Sequence, residues 1–133
     1  MCYLLSLQSS AQRLKVGCLI VKNGRIVSSG YNGMLPGDTN ICEQNGITKP
    51  SLIHAELNAI LNCAKNGISI KDCDLYVTDS PCINCSKCII QTGIKSVHYF
   101  RKYRDISGIL LLNEFGIKTY QHEIIDILWF TYS

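Results

Sequence analysis

Two short motifs constrain this chain more than any other feature: His54-Ala-Glu56 and Pro81-Cys82-Ile-Asn-Cys85. Imidazole nitrogen and cysteine thiolate are ligands that Zn²⁺ prefers, and three protein ligands leave the fourth tetrahedral position open for water. A structural zinc site would normally be closed by a fourth His or Cys, whereas here a carboxylate stands beside the ligands. The chain must therefore fold so that both motifs meet at one metal ion.

The spacing within each motif indicates where its helix begins. Side chains two positions apart point in directions about 200° apart in mid-helix, so His54 and Glu56 share a site only if His54 lies at a helix entrance. Pro81 is well tolerated before a helix start, which places Cys82 and Cys85 in a first turn, where the positive end of the dipole favours thiolate. We predict His54, Cys82 and Cys85 as metal ligands and Glu56 as the catalytic proton carrier.

Each of these residues also has an ordinary interpretation. A lone Cys-x-x-Cys is typical of a redox pair, and a lone histidine is more often structural. Cys88, one turn further along, is a competing ligand that we predict to pack in the core instead. Cys18, Cys42 and His98 could build a second metal site, although their spacing does not favour one.

The composition indicates one globular domain. The 133 residues are 47% hydrophobic and 17% charged, which suits a single domain over residues 1–133. The net charge of +3 is modest and the 13 Lys and Arg are scattered, so nucleic-acid binding is not favoured. No apolar run reaches the roughly 18 residues of a membrane span and no signal-peptide pattern is present, so we expect a cytoplasmic protein without membrane association.

The eight cysteines indicate a reducing environment more than a disulfide scaffold. A chain of this length has core enough to fold without disulfides, and the run from Cys82 to Cys88 has the spacing of metal ligands. Four cysteines are predicted as free thiols in or near the core: Cys2, Cys18, Cys63 and Cys73.

Local patterns predict alternating strands and helices. Asn23-Gly24 between two apolar runs is a strong hairpin signal, and the helical stripes that follow alternate with short strands, as in parallel βαβ units. The predicted elements are strands 16–21 and 26–31, a loop over 32–50, a helix from Ile53 to Asn66-Gly67, a strand 75–77, a helix 83–92 ended by Gly93, a strand 97–100, a helix lined by Ile106, Ile109, Leu110 and Phe115, and a strand 117–120. They predict an α/β fold whose mixed five-stranded sheet is covered by helices, while residues 121–133 pack on the domain or on a neighbouring subunit.

Several segments resemble deoxycytidylate (dCMP) deaminases of the zinc-dependent cytidine deaminase superfamily, particularly those of bacteriophage type. The resemblance runs from about Ser9 to Tyr120. The segments are Val16-Gly-Cys-Leu-Ile-Val21, Gly30-Tyr-Asn-Gly33, His54-Ala-Glu-Leu-Asn-Ala-Ile60, Tyr76-Val-Thr78, Pro81-Cys-x-x-Cys-x-Lys-x-Ile-Ile-x-x-Gly-Ile94 and Lys102-Tyr-x-Asp105.

The resemblance implies a three-layer α/β/α cytidine-deaminase-like fold, a Zn²⁺ cofactor, and hydrolysis of dCMP to dUMP for thymidylate synthesis. It further implies a homo-oligomer, commonly a hexamer, that is activated by dCTP with Mg²⁺ and inhibited by dTTP. For a chain of phage type the compartment would be the host cytoplasm.

The resemblance also assigns residues to the substrate and the effector. Asn32 would hold the deoxyribose, the Ala55 backbone would touch the base, the carbonyl near Ser80 would accept from the 4-amino group, and Tyr103 would flank the nucleotide. The effector would lie near the turn formed by Gly30, Tyr31, Asn32 and Gly33.

Three cations near a predicted strand end are candidates for the 5′-phosphate. Arg101, Lys102 and Arg104 suit an anion by their charge and by the forked geometry of arginine. A solvated charged loop is the competing interpretation of the same residues.

Other functions share parts of this pattern. A deaminase of another free cytosine nucleotide such as dCTP, a tRNA adenosine deaminase, and a pterin or riboflavin-precursor deaminase would use the same zinc chemistry. A tRNA enzyme would need a basic face for an RNA stem, and a non-enzymatic zinc module would need a fourth ligand and no Glu56.

Overall fold

The computed structural model describes residues 1–123, so the predicted packing of the apolar C-terminal stretch falls largely outside the described residues. Its elements in chain order are α1 (Cys2–Ser6), β1 (Gly17–Lys22), β2 (Arg25–Tyr31), β3 (Glu43–Gln44), β4 (Ile47–Thr48), α2 (Ala55–Lys65), β5 (Asp74–Asp79), α3 (Ile83–Thr92), β6 (Ser96–Arg101), α4 (Ser107–Glu114) and β7 (Lys118–Gln121).

The central sheet has five strands in the order β2-β1-β5-β6-β7. Strand β1 is antiparallel to both β2 and β5, whereas β5, β6 and β7 are parallel to one another. The β1–β2 turn places Asn23 at φ 50° and Gly24 at φ 76°, the left-handed conformations that a tight hairpin turn demands. The mixed five-stranded sheet predicted from the sequence is confirmed.

Helices cover both faces of the sheet, and two glycines show which helix lies on which face. A Cβ atom on Gly17 would lie 2.1 Å from the carbonyl oxygen of Cys2 in α1. One on Gly30, which pairs with Cys18, would lie 2.6 Å from the carbonyl oxygen of Ala55 in α2. Because Gly17 and Cys18 point to opposite faces, α1 and α2 lie on opposite sides of the sheet, and the fold has three layers.

The main core lies between the sheet and the α2 side. Its members come from α2, α3, α4 and the inward positions of β1, β5 and β6, which make a single apolar cluster. The completely buried ones include Cys18, Ile20, Leu75, Val77, Ile89, Val97 and Leu112. Burial of such side chains contributes roughly 1.5–3 kcal/mol each to folding, and it packs α2 against β1 and β2 and α3 against α4.

The opposite face carries an aromatic ladder across the three parallel strands. Tyr76, His98 and Tyr120 are register partners, with ring centroids 4.3 and 4.8 Å apart. The Nδ1 of His98 lies 2.7 Å from the Nε2 of His122, and the Ser96 hydroxyl lies 3.2 Å from the Nε2 of His98. This ladder joins the parallel strands through side chains as well as through the backbone.

Three sequence expectations need correction. The loop over 32–50 contains the hairpin β3–β4, whose turn residues Asn45 and Gly46 have positive φ; two-residue strands carry no alternation by which they could be found. Cys88 is exposed, not packed in the core. Of the four residues predicted to line the helix α4, Ile109 is buried, whereas Ile106, Leu110 and Phe115 are 41%, 58% and 61% exposed; Leu112 is completely buried instead.

The prediction of four free thiols in the core is confirmed. The predicted core thiols Cys2, Cys18, Cys63 and Cys73 are all buried and free. Within residues 1–123, no helix combines the length and apolar character that crossing a bilayer requires.

Candidate active site

His54 occupies the N-cap of α2. Its backbone is extended, with φ −68° and ψ 152°, because the preceding Ile53 pairs with Gly33 in a short bridge. The helix α2 therefore begins at Ala55, two residues later than the predicted start at Ile53. Glu56 is the second helical residue, so both side chains reach the same site, as the two-residue spacing requires.

Cys82 occupies the equivalent position at the start of α3. Its φ of −70° and ψ of 169° make it the N-cap, and its sulfur accepts a hydrogen bond from the Cys85 backbone N–H at 3.5 Å. The helix ends at Gly93 in the left-handed conformation, as the sequence predicted. Two helix N-termini thus converge, and their positive ends favour thiolate and other anionic groups.

The three predicted ligands lie together. The Nδ1 of His54 is 3.6 Å from the Cys82 sulfur and 3.3 Å from the Cys85 sulfur, and all three donor atoms lie within 4.8 Å of one another. Tetrahedral zinc with Zn–S of about 2.3 Å and Zn–N of about 2.0–2.1 Å needs sulfur–nitrogen separations of roughly 3.6 Å. The donor set fits a zinc ion in both chemistry and spacing.

No second metal site competes with this one in residues 1–123. The group formed by His54, Cys82 and Cys85 is the one in that range that brings three or more potential ligands together. The alternative combination of Cys18, Cys42 and His98 is not assembled there.

The two thiols differ in their electrostatics. Hydrogen bonding from Cys85 and His54 lowers the pKa of Cys82 to about 4, although burial acts in the opposite direction. The pKa of Cys85 is raised, first because its thiol donates to the Cys82 sulfur and then because it is buried. A divalent cation at these donors favours the thiolate form of both.

Glu56 is buried next to the donors, with 4% of its surface exposed. Burial raises the pKa of its carboxyl to about 7, and the nearby His54 acts in the opposite direction. A carboxyl group with a pKa near neutrality can both accept and donate a proton. No fourth His or Cys accompanies the donors in residues 1–123, and the Glu56 carboxyl interacts with both His54 and Cys85.

A pocket of about 370 Å³ opens beside the donor atoms. Residues from both helix starts and from three connecting segments line it. They are Ala11, Arg13, Leu14, Val16, Asn32, Glu43, Thr48, Leu52, His54, Ala55, Glu56, Asp79, Ser80, Cys82, Tyr103 and Arg104. A cavity of this size suits a small ligand.

Four of the residues that resemblance assigned to substrate binding lie on this wall: Asn32, Ala55, Ser80 and Tyr103. The Ser80 hydroxyl accepts a hydrogen bond from the Tyr103 backbone N–H at 2.8 Å. The Asn32 amide is engaged by the chain itself, because it accepts from the Val16 N–H at 2.9 Å and donates to the Leu14 carbonyl at 2.7 Å. Asn32 therefore holds the segment that leads into β1 against the pocket.

The three cationic side chains that were candidates for binding the phosphate have different surroundings in the structure. Arg104 lines the pocket, and Lys102 lies outside its wall. Arg101 pairs with Asp79 through its Nε at 3.0 Å and its Nη2 at 3.0 Å. Burial raises the pKa of Asp79, while hydrogen bonds from Thr78 and Arg101 act in the opposite direction.

Two charged residues of the pocket, Arg13 and Glu43, have no signature in the amino-acid sequence. Arg13 lies in a bend before β1, where a lone cation has no signature, yet it lines the pocket. Glu43, in β3, accepts from the backbone N–H groups of Gln12 and Arg13 at 2.8 and 3.2 Å. Asp79 was foreseeable, since it ends a strand of the parallel sheet immediately before the metal motif.

The proposed effector turn spans residues of different character. Gly30 packs against α2, and Gly33 exchanges backbone hydrogen bonds with Ile53. Tyr31 is 38% exposed, whereas Asn32 is buried. Gly30 and Gly33 thus support the start of α2, and Tyr31 is the member of this turn that faces solvent.

Comparison with known proteins agrees with this geometry. The family described as the cytidine and deoxycytidylate deaminase zinc-binding region matches residues 1–101. Deoxycytidylate deaminase of Enterobacteria phage T4 is 37% identical, over 76% of this chain and 74% of that protein. ComE operon protein 2 of Bacillus subtilis is 42% identical, over 77% of this chain and 56% of that protein, so this chain spans little more than half of its length.

A solved structure of a related protein has the same architecture as this chain. The dCMP deaminase from the cyanophage S-TIM5, in complex with dCMP and dUMP, superposes with a TM-score of 0.89 at 42% identity. The match covers 91% of this chain and 90% of that one. The chain therefore belongs to the cytidine and deoxycytidylate deaminase family, whose zinc-binding region it carries.

Proposed function

We propose that this protein is a zinc-dependent hydrolase that converts dCMP and water to dUMP and ammonia, and so supplies dUMP for thymidylate synthesis. One observation carries the proposal: the donor atoms of His54, Cys82 and Cys85 meet beside a pocket that also holds Glu56. Similarity to deoxycytidylate deaminases, among them the cyanophage enzyme in complex with dCMP and dUMP, supports the choice of substrate.

The metal ligands and Glu56 have separate roles in the proposed reaction. When bound, a zinc ion held by His54, Cys82 and Cys85 would supply Lewis-acid activation of water by lowering the pKa of that water towards neutrality. Glu56 takes a proton from the attacking water and delivers it to the ring nitrogen. The carboxylate then takes the remaining proton from the hydroxyl newly bonded to C4 and passes it to the amino group, so that the C–N bond breaks, ammonia leaves and the C4 carbonyl forms. Acid–base assistance of this kind is typically worth about 10²–10⁴ in rate.

The base and the sugar are oriented by the pocket wall. In this proposal the Ala55 backbone touches the base, the carbonyl near Ser80 accepts from the 4-amino group, and Tyr103 flanks the nucleotide. Asn32 holds the deoxyribose. Its side-chain amide also fixes the segment 14–16 beside the pocket through hydrogen bonds with Leu14 and Val16. The support is that all four residues lie on the wall of one cavity with Glu56.

The 5′-phosphate is bound by Arg13 and Arg104. Both arginines line the pocket that contains Glu56, and a guanidinium group matches phosphate through paired N–H donors. Arg104 was a candidate from the sequence, and Arg13 joins it through the fold.

The family resemblance supports further parts of the proposal. The protein assembles as a homo-oligomer, of the hexameric kind, and works in the cytoplasm, or in the host cytoplasm if it is of phage origin. Together with Mg²⁺, dCTP activates it and dTTP inhibits it, both acting near Gly30, Tyr31, Asn32 and Gly33. Light scattering, and assays with each triphosphate added, test these parts separately.

The decisive experiment measures ammonia release by zinc-loaded protein from dCMP, dCTP, cytidine and a tRNA anticodon stem. We expect turnover of dCMP and none of the tRNA, because a tRNA enzyme needs a basic face and a pocket for a splayed base. Deamination of the tRNA adenosine without deamination of dCMP would refute the proposal. Preference for dCTP would move the substrate to a triphosphate and leave the chemistry intact.

A further inference from the structure

Asp79 places a carboxylate in the wall of the pocket. Asp79 is 6% exposed, and it lines the same cavity as Arg13 and Arg104. A buried carboxylate next to the site of an anionic ligand repels that ligand unless a cation compensates it.

Arg101 supplies the compensating charge. Asp79 and Arg101 are register partners at the carboxyl ends of β5 and β6. The guanidinium meets the carboxylate in a forked pair, Nε to Oδ1 at 3.0 Å and Nη2 to Oδ2 at 3.0 Å. This two-point geometry is the strong form of an arginine–carboxylate interaction. Arg101 itself is not among the residues that line the pocket.

The pair is fastened to the segment that carries Arg13. The Nη2 of Arg101 lies 3.5 Å from the Lys15 carbonyl oxygen. On the other side of the pair, the Thr78 hydroxyl donates to Asp79 at 2.9 Å and accepts from the Gly17 N–H at 3.2 Å. The strand-end pair therefore contacts the chain only a few residues after Arg13.

We propose that Asp79 and Arg101 are a positioning pair: Arg101 cancels the charge of Asp79 inside the pocket, and the pair holds the segment 15–17 so that Arg13 faces the substrate's phosphate. This inference rests on the proposed function, since it concerns how a nucleoside monophosphate is accepted. It assigns Arg101 a role through Asp79 and no direct contact with the nucleotide.

Four variants of the zinc-loaded protein test the pair: Arg101→Gln, Asp79→Asn, the double variant, and Arg25→Gln as a control. Arg25 is an exposed arginine at the start of β2, and its replacement makes the same change in net charge. The measurements are KM and kcat for dCMP, and the inhibition constant of deoxyuridine, which lacks the phosphate.

Arg101→Gln leaves Asp79 uncompensated, so we expect the KM for dCMP to rise about tenfold or more. The kcat and the deoxyuridine inhibition constant should change little, because Glu56 and the base-binding wall are untouched. The double variant removes the buried charge and should recover most of the lost affinity, and Arg25→Gln should match the wild type. A variant that merely folded poorly would bind dCMP and deoxyuridine less well to a similar extent, so the contrast between these two ligands distinguishes the positioning role from misfolding.

Direct phosphate binding by Arg101 predicts a different pattern. In that case the double variant would be as poor as Arg101→Gln, because removing the charge of Asp79 cannot replace the lost guanidinium. That result overturns the positioning role, as does a KM unchanged by Arg101→Gln. Failure of the proposed function would look different again, because the wild-type protein itself would then release no ammonia from dCMP.

Discussion

Gly108 in α4 lies directly on Pro81, the residue that leads into α3. A Cβ atom on Gly108 would lie 2.1 Å from the Pro81 carbonyl oxygen and 2.8 Å from the Ser86 hydroxyl. Neither neighbour is the free end of a long side chain, so no small adjustment makes room. The start of α3, which carries Cys82 and Cys85, can therefore lie this close to α4 only because residue 108 has no side chain.

Gly108→Ala should weaken both the fold and the metal site. Overpacking of this kind typically costs about 1–3 kcal/mol, and relief would require the first turn of α3 to move. We expect a lower free energy of unfolding in urea and a reduced zinc content by metal analysis. Gly33→Ala is the matched control, because a Cβ there would meet the Tyr31 ring at an ordinary 3.8 Å. Equal effects of the two changes would contradict the assigned role of Gly108.

Loss of one sulfur ligand should be distinguishable from loss of a nearby thiol. Cys85→Ser removes a buried donor of the His54 group, whereas Cys88→Ser alters an exposed cysteine of the same helix. We expect one zinc per chain to survive in Cys88→Ser and to be lost in Cys85→Ser. Because metal binding is coupled to folding, Cys85→Ser and chelator-treated wild-type protein should both melt at lower temperature. Zinc loss in the Cys88 variant would reassign the ligands.

Glu56→Gln keeps the size of the side chain and removes its ability to carry a proton. We expect zinc content and folding to be retained while kcat for dCMP falls by about 10²–10⁴, the usual contribution of a general acid–base group. Metal analysis and ammonia release on the same preparation make the comparison. An active Glu56→Gln enzyme would show that the proton travels by another route.

The two pocket arginines should affect dCMP more than nucleosides. Arg13→Gln and Arg104→Gln each remove a guanidinium from the pocket wall, so we expect the KM for dCMP to rise by roughly tenfold or more. Inhibition by deoxyuridine should stay unchanged in both variants. Lys102→Gln serves as the control, since it removes a neighbouring cation that lies outside the wall. A Lys102 effect as large as that of Arg104 would place the phosphate elsewhere.

His98 should make stability depend on pH. Burial and the nearby His122 lower its pKa below the ordinary 6.5, and Asp74 acts in the opposite direction. The unfolded chain then binds more protons as the pH falls through 6.5, so the stability contributed by neutral His98 is present above that value and lost below it.

Unfolding in urea at pH 7.5 and pH 5.5, with zinc-loaded protein throughout, measures this loss. His98→Phe retains a ring between Tyr76 and Tyr120 and should reduce the difference between the two pH values. A variant with the same pH dependence as the wild type would assign the effect to other groups.

The sequence was informative wherever a local pattern decides the structure. Asn23-Gly24 specified the first hairpin, and Pro81 and Gly93 bracketed α3, because turn and cap conformations depend on a few adjacent residues. The two metal motifs likewise dictated helix starts, and the structure places His54 and Cys82 at them.

The remaining features depend on contacts between distant segments. Arg101 was a candidate phosphate ligand because of its charge, but its pairing with Asp79 follows from the register of β5 and β6, which the sequence alone does not show. Arg13 could not be assigned because its position follows from the Asn32 and Glu43 contacts of its segment. The exposure of Cys88 and Leu110 depends on how α3 and α4 pack, which a helical stripe alone does not determine.

The β3–β4 hairpin contacts the segment before β1 through Glu43 and through Cys42, whose sulfur lies 3.3 Å from the Ser10 hydroxyl. The zinc donors belong instead to α2 and α3. Glu43 and Thr48 of this hairpin line the cavity, so part of the cavity wall and the metal-binding residues are built on separate parts of the chain. A change in the length of this surface hairpin would therefore reshape the wall while leaving the residues that hold the metal in place.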